Sequence, residues 1–187
     1  RNHQMRFFQP LILLWVLLFW LPGWSPGASV CHAEDMDQEY QLKAAFLVNF
    51  AKFITWPEQA LPAGQQEFIL CVVGDDPFGP ALAGIEKKTV GGHPIRLVQA
   101  SSRKTIPACQ MLFVSHSQAD DLHLLTAALG HKAIVTISDL PGFIQAGGHI
   151  QLVTAGNRLS FMINYTAMKG QGLQANASLL NLATTVK

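Results

Sequence analysis

The chain has 187 residues, a formal net charge of +1 and only 13% charged residues, about half the usual share for a soluble protein. Residues 34–187 carry 11 Lys and Arg against 12 Asp and Glu. This balance excludes a general nucleic-acid-binding protein, which needs a basic surface to displace counterions from phosphates. The hydrophobic fraction of 49% excludes an intrinsically disordered chain, and the length suits one domain.

The first 33 residues are typical of a secretory signal peptide. Arg1 and Arg6 precede the unbroken apolar run Leu11–Leu21, and small residues lead to Ala33, after which we expect cleavage. The run is shorter than the roughly 20 residues that a membrane span needs, and an uncleaved membrane anchor is the alternative. We therefore predict an exported protein that folds from Glu34 onwards.

The exported part alternates helices with short buried strands. Apolar residues at helical spacing predict a helix from Gln38 to Thr55, which Pro57 ends. Unbroken apolar runs predict strands that are covered on both faces. In chain order, the further predicted elements are strand Phe68–Val73, a short helix Phe78–Ile85, strands Pro94–Gln99 and Cys109–Ser115, helix Gln118–Leu129, strand Ala133–Ile137, a short helical piece after Asp139, strands Ile150–Thr154 and Arg158–Ile163, and helices Tyr165–Lys169 and Ser178–Thr185.

This alternation predicts an α/β fold in which helices flank a mainly parallel sheet. The turn between Ile150–Thr154 and Arg158–Ile163 is too short for a parallel crossover, so these two strands should form an antiparallel hairpin near the C-terminal end. The sequence shows neither internal repeats nor a low-complexity linker. We therefore expect residues 34–187 to form a single domain.

Cys71 and Cys109 are the only cysteines of residues 34–187. An oxidising compartment favours a disulfide between them. If the two strands that carry them are neighbours, this bond would close a loop of about 40 residues and stabilise the fold by roughly 4 kcal/mol. The alternative is a pair of separate buried thiols, because the sequence does not show whether the two Cβ atoms meet.

The loop Gly74–Gly79 follows the first buried strand, at a position where parallel sheets bind ligands. Its candidate ligand-binding residues are Asp75, Asp76 and Phe78. The loop lacks the Gly-x-Gly-x-x-Gly spacing and the lysine of phosphate-binding loops. A turn in which Asp76 accepts backbone N–H groups is therefore the favoured interpretation, ahead of a nucleotide site.

The remaining polar residues do not form a recognisable catalytic motif. The sequence contains neither a Gly-x-Ser-x-Gly elbow nor a Cys-x-x-Cys pair. His116, Asp120 and His123 are the densest histidine cluster, but the two histidines would lie about 10 Å apart along a helix, too far for one zinc ion. We expect no catalytic residues, metal or cofactor, and the pattern favours a binding or regulatory protein. A hydrolase that uses His116 or the two aspartates of the loop is the least favoured hypothesis.

Several short segments follow one another in a distinctive order between residues 39 and 183. They are Glu39–Leu47, Asn49–Phe53, Trp56-Pro57, Cys71–Gly79, Gly91-Gly92 with Pro94-Ile95, Asn157–Asn164, Ala167, Gly172-Leu173 and Leu179–Ala183. Their order and spacing carry the similarity, since no single segment is diagnostic. With these segments the chain resembles the YfiR-like family of periplasmic proteins.

The resemblance implies a periplasmic α/β domain, often dimeric, without an established catalytic activity. The best-known members bind the periplasmic sensor region of an inner-membrane diguanylate cyclase and repress it, which lowers cyclic-di-GMP in the cell. An outer-membrane lipoprotein can sequester the repressor. The alternative hypothesis is a periplasmic small-molecule binding module that uses the Gly74–Gly79 crevice.

Binding to a receptor needs an exposed surface with aromatic or apolar anchors. We expect this surface in the region Phe143–Leu173. Because neighbouring residues of a strand point to opposite faces, only one of Phe161 and Met162 should face outward. Trp56 and Arg158 are expected to have structural roles. The candidate anchors are Phe143, Phe161, Met162, Tyr165, Met168 and Leu173.

Overall fold

The structure, a computed structural model, describes residues 30–100, 102–156 and 158–187, without the side chains of residues 30–35 and 103. The predicted signal peptide, residues 1–33, lies almost entirely outside the described residues. The helices are α1 (Val30–Phe53), α2 (Pro80–Ala83), α3 (Leu122–Leu129), α4 (Tyr165–Gly170) and α5 (Ala177–Leu182). The strands are β1 (Ile54–Thr55), β2 (Phe68–Val73), β3 (Thr89–Val90), β4 (His93–Ala100), β5 (Met111–Val114), β6 (Val135–Ser138), β7 (Ile150–Ala155), β8 (Arg158–Ile163), β9 (Gln174–Ala175) and β10 (Thr185–Val186).

The main sheet has eight strands in the order β10-β8-β7-β6-β5-β2-β4-β3. Its neighbouring strands are parallel, except for the antiparallel pairs β7–β8 and β3–β4. This confirms the predicted α/β fold with a mainly parallel sheet. The register of β7 and β8, which runs from Ile150 opposite Ile163 to Ala155 opposite Arg158, confirms the predicted hairpin. β1 and β9 form a separate antiparallel pair.

α1 covers one face of the main sheet with its apolar side. Leu47, Phe50 and Ala51 are almost completely buried, at the spacing that places residues on one side of a helix. The ring of Phe50 lies 5.0 Å from that of Phe161 in β8, in the edge-to-face arrangement that aromatic pairs prefer. α1 ends at Phe53, slightly before the predicted end, because the next two residues pair with β9 as β1.

α3 and the turns that follow β6 cover the opposite face. Leu125 and Phe143 pack there against the side chains of β2 and β5. A Cβ at Gly148 would lie 2.2 Å from the ring of Phe143, so glycine is needed where this ring is buried. The helix predicted from Gln118 begins as a 3-10 helix, His116–Asp121, before α3 continues it.

The C-terminal segment differs from its prediction. The sequence predicts a helix over Ser178–Thr185, but α5 ends earlier and β10 follows it. The Thr184 N–H donates a hydrogen bond to Phe161 O over 2.9 Å. The Lys187 N–H donates another to Ile163 O over 2.8 Å. These bonds to β8 hold the segment at the sheet edge, a long-range effect that local helix propensity does not reveal.

His149 is buried next to β6 in its neutral form. The residue is 1% exposed, and its Nδ1 accepts a hydrogen bond from the Thr136 N–H over 3.1 Å. Burial lowers the pKa of His149 from its usual 6.5 to about 4, and a hydrogen bond with the Ile134 backbone only partly offsets this effect. Between pH 4 and pH 6.5, His149 is therefore mainly neutral in the folded protein and mainly protonated in the unfolded chain.

We expect His149 to make the protein less stable in acid. The unfolded histidine binds a proton near pH 6.5 and the folded one near pH 4, so its contribution is complete above pH 6.5 and is lost as the pH falls toward 4. The loss is about 3 kcal/mol. Urea unfolding measured across this range should show a weaker pH dependence for His149→Gln. His131→Gln, at an exposed histidine, is the control, and equal pH dependence in both variants would contradict this assignment.

Candidate functional site

The loop Gly74–Gly79, at the carboxyl end of β2, is closed against the loop that follows β5. A Cβ at Gly74, where φ is +89°, would lie 2.3 Å from Ser117 Oγ. Ser117 Oγ also accepts a hydrogen bond from the Asp75 N–H over 2.9 Å. Glycine is therefore required by both the backbone angle and the close approach of the two loops. The two loops are therefore in direct contact at this point of the sheet.

The three predicted ligand residues of this loop lie in different environments. Phe78 is 3% exposed, and its ring packs edge-to-face with those of Tyr40 and Phe113. Asp76 Oδ1 accepts a hydrogen bond from the Phe78 N–H over 2.8 Å, a contact that stabilises turns. Asp75 and Asp76 are exposed, but the structure places Phe78 in the core, where it does not reach a ligand.

A buried ionic cluster lies beside this loop, at the carboxyl end of β6. The ammonium of Lys43 contacts Asp139 Oδ2 and lies 2.6 Å from Glu39 Oε1. Lys43 is only 3% exposed. The Tyr40 hydroxyl donates to Asp139 Oδ2 over 3.1 Å, and the Thr154 hydroxyl donates to Glu39 Oε1 over 2.9 Å. The cluster thereby joins α1 to the loop after β6 and to β7.

Burial and charge act together on the titrating groups of this cluster. Burial acts to raise the pKa of Glu39, but hydrogen bonds from Lys43 and Thr154 outweigh it and the pKa is lowered. Burial and the charge of Asp139 raise the pKa of Tyr40. Glu39 therefore stays ionised and Tyr40 stays a hydrogen-bond donor at neutral pH. Such a network suits the anchoring of α1, since each charge faces a partner.

His116 connects the buried cluster to solvent. Its side chain is 58% exposed, and its Nε2 lies 3.1 Å from Asp139 Oδ1. A cavity of about 320 Å³ adjoins these groups and is bordered by β7 on its other side.

Among the described residues, no group of three His, Cys, Asp or Glu side chains is arranged to hold a metal ion. None of the helices that the structure describes is long and apolar enough to span a bilayer.

A large cleft lies at the opposite end of the sheet, where the parallel strands begin. It has a volume of about 1040 Å³ and is bordered by four chain segments, 57–69, 107–110, 131–134 and 171–172. Gln110 joins its walls, because its Oε1 accepts from the Ile69 N–H over 2.8 Å and its Nε2 donates to Ala60 O over 2.6 Å. Gln171 Oε1 is buried in this part of the protein with no described hydrogen-bond partner.

The sequence reasoning missed this cleft because its walls come from segments that are distant along the chain. Trp56, for which we expect a structural role, directly precedes the first of these segments. Trp56 is 8% exposed, and its Nε1–H donates to Gln110 O over 2.8 Å. The indole therefore fixes the segment that leads into the cleft.

The two cysteines approach each other on the face covered by α3. Cys71 and Cys109 are present as thiols, and both are buried. A hydrogen bond from the Cys109 thiol lowers the pKa of Cys71. The same bond, together with burial, raises the pKa of Cys109. The two thiols therefore lie close enough to interact, and the disulfide between them stays a prediction.

Most of the candidate partner anchors lie in the core. Phe143, Met168 and Leu173 are completely buried, and Phe161 is 4% exposed. These four side chains therefore offer no surface to a partner. Met162 and Tyr165 are half-buried, so the expected alternation between Phe161 and its neighbour in β8 is observed. Arg158 is exposed at the start of this strand.

The structure instead exposes apolar side chains on α1 and on the C-terminal segment. Leu42 is 44% exposed, Phe53 37%, Leu182 69% and Val186 47%. Phe46 is half-buried, with its ring 6.1 Å from that of Phe161. The Asn176 N–H donates to Phe53 O over 3.0 Å, which joins α1 to the start of α5. We call this set the α1–α5 surface: Leu42, Phe46, Phe53, Leu182 and Val186.

Known structures share this fold. A conserved domain protein from Vibrio cholerae O1 biovar El Tor strain N16961 superposes with a TM-score of 0.55 and 13% sequence identity. The match covers 79% of this chain but only 60% of that protein's chain, so this chain spans less than two thirds of its length. At this identity the likeness shows the fold alone.

The family comparison covers nearly the whole described fold. The model of the DUF4154 family, described as YfiR/HmsC-like, matches residues 40–184. This range runs from the first buried residue of α1, Tyr40, to the hydrogen bond of Thr184 with β8. No curated protein matches the chain. From the extent of the family match, the chain belongs to the YfiR/HmsC-like family.

Proposed function

We propose that this protein is a periplasmic regulator that binds the sensor region of an inner-membrane diguanylate cyclase and represses the cyclase. The family match over residues 40–184 is the observation that carries this proposal. A bound protein can hold a receptor in one state only if it binds that state more tightly than the other. Sequestration by an outer-membrane lipoprotein would then release the cyclase. This protein's own role is binding, without a chemical step.

The α1–α5 surface is the best candidate for the contact with the cyclase. It presents several exposed apolar side chains on α1, α5 and β10. Val186 extends the surface across the sheet edge, because it lies opposite Ile163 in the register of β10 and β8. Exposed apolar side chains of this kind are frequent at protein–protein interfaces. This surface replaces the buried anchors of the region Phe143–Leu173.

Deleting the gene is expected to raise cellular cyclic-di-GMP, because the cyclase loses its repressor. A plasmid copy with residues 1–33 should restore the level, whereas a copy without them should not, since repression would act from the periplasm. The nucleotide is measured in extracts of the three strains. An unchanged level in the deletion strain, with its cyclases shown to be expressed, would count against repression.

A charge on the α1–α5 surface is expected to weaken repression without unfolding the protein. Leu182→Asp places a carboxylate on the most exposed member of this surface, at 69% exposure, where its desolvation would oppose binding. Leu124→Asp is the matched control, because Leu124 is a leucine of similar exposure, 62%, on α3. Cyclic-di-GMP should rise at least several-fold more with Leu182→Asp, at equal melting temperatures. Equal repression by both variants would exclude this surface.

A small-molecule binding module is the second candidate function. The cleft of about 1040 Å³ favours it, because volumes of this order are typical of ligand sites. The closed loop Gly74–Gly79 is the weaker location for such a site. A thermal-shift screen separates the two functions, since a ligand of the folded state raises the melting temperature by mass action.

A further inference from the structure

The cleft at the starting end of the parallel strands has walls that the protein's own hydrogen bonds fix. Gln110 is 4% exposed, and its side-chain amide bonds to the backbone of Ile69 and Ala60. The backbone O of Gln110 accepts a hydrogen bond from the indole of Trp56. Three prolines, which stiffen the backbone, also border the cleft: Pro57, Pro62 and Pro107. The cleft therefore exists before a ligand binds, which lowers the cost of ordering its walls.

The least exposed residues that border the cleft are mostly apolar. Cys109 is 4% exposed and Ile134 is 5% exposed, and Ile69 is half-buried. None of the described residues that border the cleft is Phe, Tyr or Trp. Nucleobases commonly stack on such rings, so the cleft does not suit a nucleotide. An aliphatic group of a ligand fits these side chains, because contact removes apolar surface from water.

Lys132 brings a positive charge to the cleft. Among the described residues, no carboxylate forms an ion pair with it. Its ammonium acts on the Cys109 thiol, where it partly offsets the rise in pKa that the hydrogen bond with Cys71 and burial cause, so the charge lies near the apolar residues. Glu67, the acidic residue that borders the cleft, is itself paired with Arg96. The cleft therefore favours an anionic group of a ligand over a cationic one.

Glutamine side chains supply further hydrogen-bonding groups. Gln59 and Gln66 are exposed at the border of the cleft, and each amide donates and accepts as a peptide group does. Gln171 Oε1 is buried without a described partner, which costs free energy in the ligand-free protein. Because Gln171 as a whole is half-buried, a turn of its amide brings this oxygen to the cleft. An N–H group of a ligand would then satisfy it.

We propose that this cleft binds a short peptide by its C-terminal residue. The terminal carboxylate pairs with Lys132, and the N–H of the last residue donates to Gln171 Oε1. An aliphatic side chain of that residue packs against Ile69 and Ile134. The cleft volume of about 1040 Å³ lies at the upper end of the usual range for ligand sites, so the site takes more than a single amino acid. The inference rests on the second candidate function, a binding module, and names its ligand class.

N-acetylated tripeptides that end in alanine, valine or leucine test the proposal. Each peptide is titrated into the purified chain in a calorimeter, beside the same peptide with a C-terminal amide. We expect the acid to bind about tenfold more tightly than the amide, because only the acid carries the charge that pairs with Lys132. Free leucine and inorganic phosphate should bind more weakly than the peptide acid. Equal binding of acid and amide, equally tight binding of phosphate, or no binding of any of the peptides at millimolar concentration overturns the proposal.

Two substitutions separate the contacts. Lys132→Met should lower the affinity of the acid to that of the amide, whereas Lys87→Met, at an exposed lysine outside the cleft, should leave the preference unchanged. Gln171→Leu should weaken the acid and the amide by the same factor. It should not lower the melting temperature, because the lost oxygen has no described partner. A preference for the acid that survives Lys132→Met, or affinities that Gln171→Leu leaves unchanged, contradict the proposal.

The result is distinguishable from a failure of the binding function itself. If the peptides do not bind but another compound of the thermal-shift screen raises the melting temperature, this inference fails and the second candidate function stands. If neither the peptides nor any other compound binds, both fail. The titrations do not depend on the proposed repression, because they are measured on the purified protein alone.

Discussion

Replacing Lys43 by Met is expected to destabilise the folded chain by about 3–5 kcal/mol, the usual cost of removing one partner of a buried ion pair. Lys43 is 3% exposed and lies against the carboxylates of Glu39 and Asp139. Without its ammonium, the charge of Asp139 remains in a position where its side chain is 6% exposed. Because this carboxylate is nearly buried, the folded state bears most of the cost.

Urea unfolding measures this loss. Lys52→Met is the matched control, because Lys52 is an exposed lysine of the same helix and should change the free energy of unfolding by no more than about 0.5 kcal/mol. The double variant Lys43→Met/Asp139→Asn should recover a large part of the loss, since it removes the uncompensated charge. A loss below about 1 kcal/mol for Lys43→Met would show that the cluster does not anchor α1.

The ionic cluster illustrates what sequence patterns leave out. Lys43 belongs to the predicted helix and Asp139 follows a predicted strand, and both positions were correct. The two residues are 96 positions apart in sequence, and nothing in the local pattern pairs them. Their contact follows from the packing of α1 on the sheet, which brings the carboxyl end of β6 next to the middle of the helix.

The regular elements were easier to predict than the surface. β2 has the bounds that its apolar run indicated, because a strand covered on both faces must be apolar throughout. The strands of the β7–β8 hairpin also have the predicted bounds, or nearly so. The link between apolar character and burial also explains the errors in the candidate anchors. Phe143 and Met168 are apolar because they are buried. The sequence alone does not show whether an apolar residue lies in the core or on a binding surface. Leu182 is 69% exposed on α5, and the sequence pattern does not distinguish it from the buried residues around it.

Oxidation of Cys71 and Cys109 to a disulfide is expected to stabilise the fold by about 4 kcal/mol in the chain-entropy model. The two thiols lie close enough to interact through a hydrogen bond, so they are the pair that an oxidant would join. For a chain of this size, the gain corresponds to a rise of about 10 °C in melting temperature. The two electrons and two protons pass to an oxidant of the disulfide class, as supplied by an oxidising compartment.

Thermal unfolding with and without a reductant measures this difference. Cys71→Ser is the control, because it cannot form the bond and should melt at the same temperature under both conditions. Counting free thiols in the unfolded wild-type chain, prepared without reductant, gives an independent answer. Two free thiols in the chain taken from the periplasm would show that the contact serves packing alone. No free thiols, together with the expected shift in melting temperature, would establish that a single covalent bond secures the segment between β2 and β5.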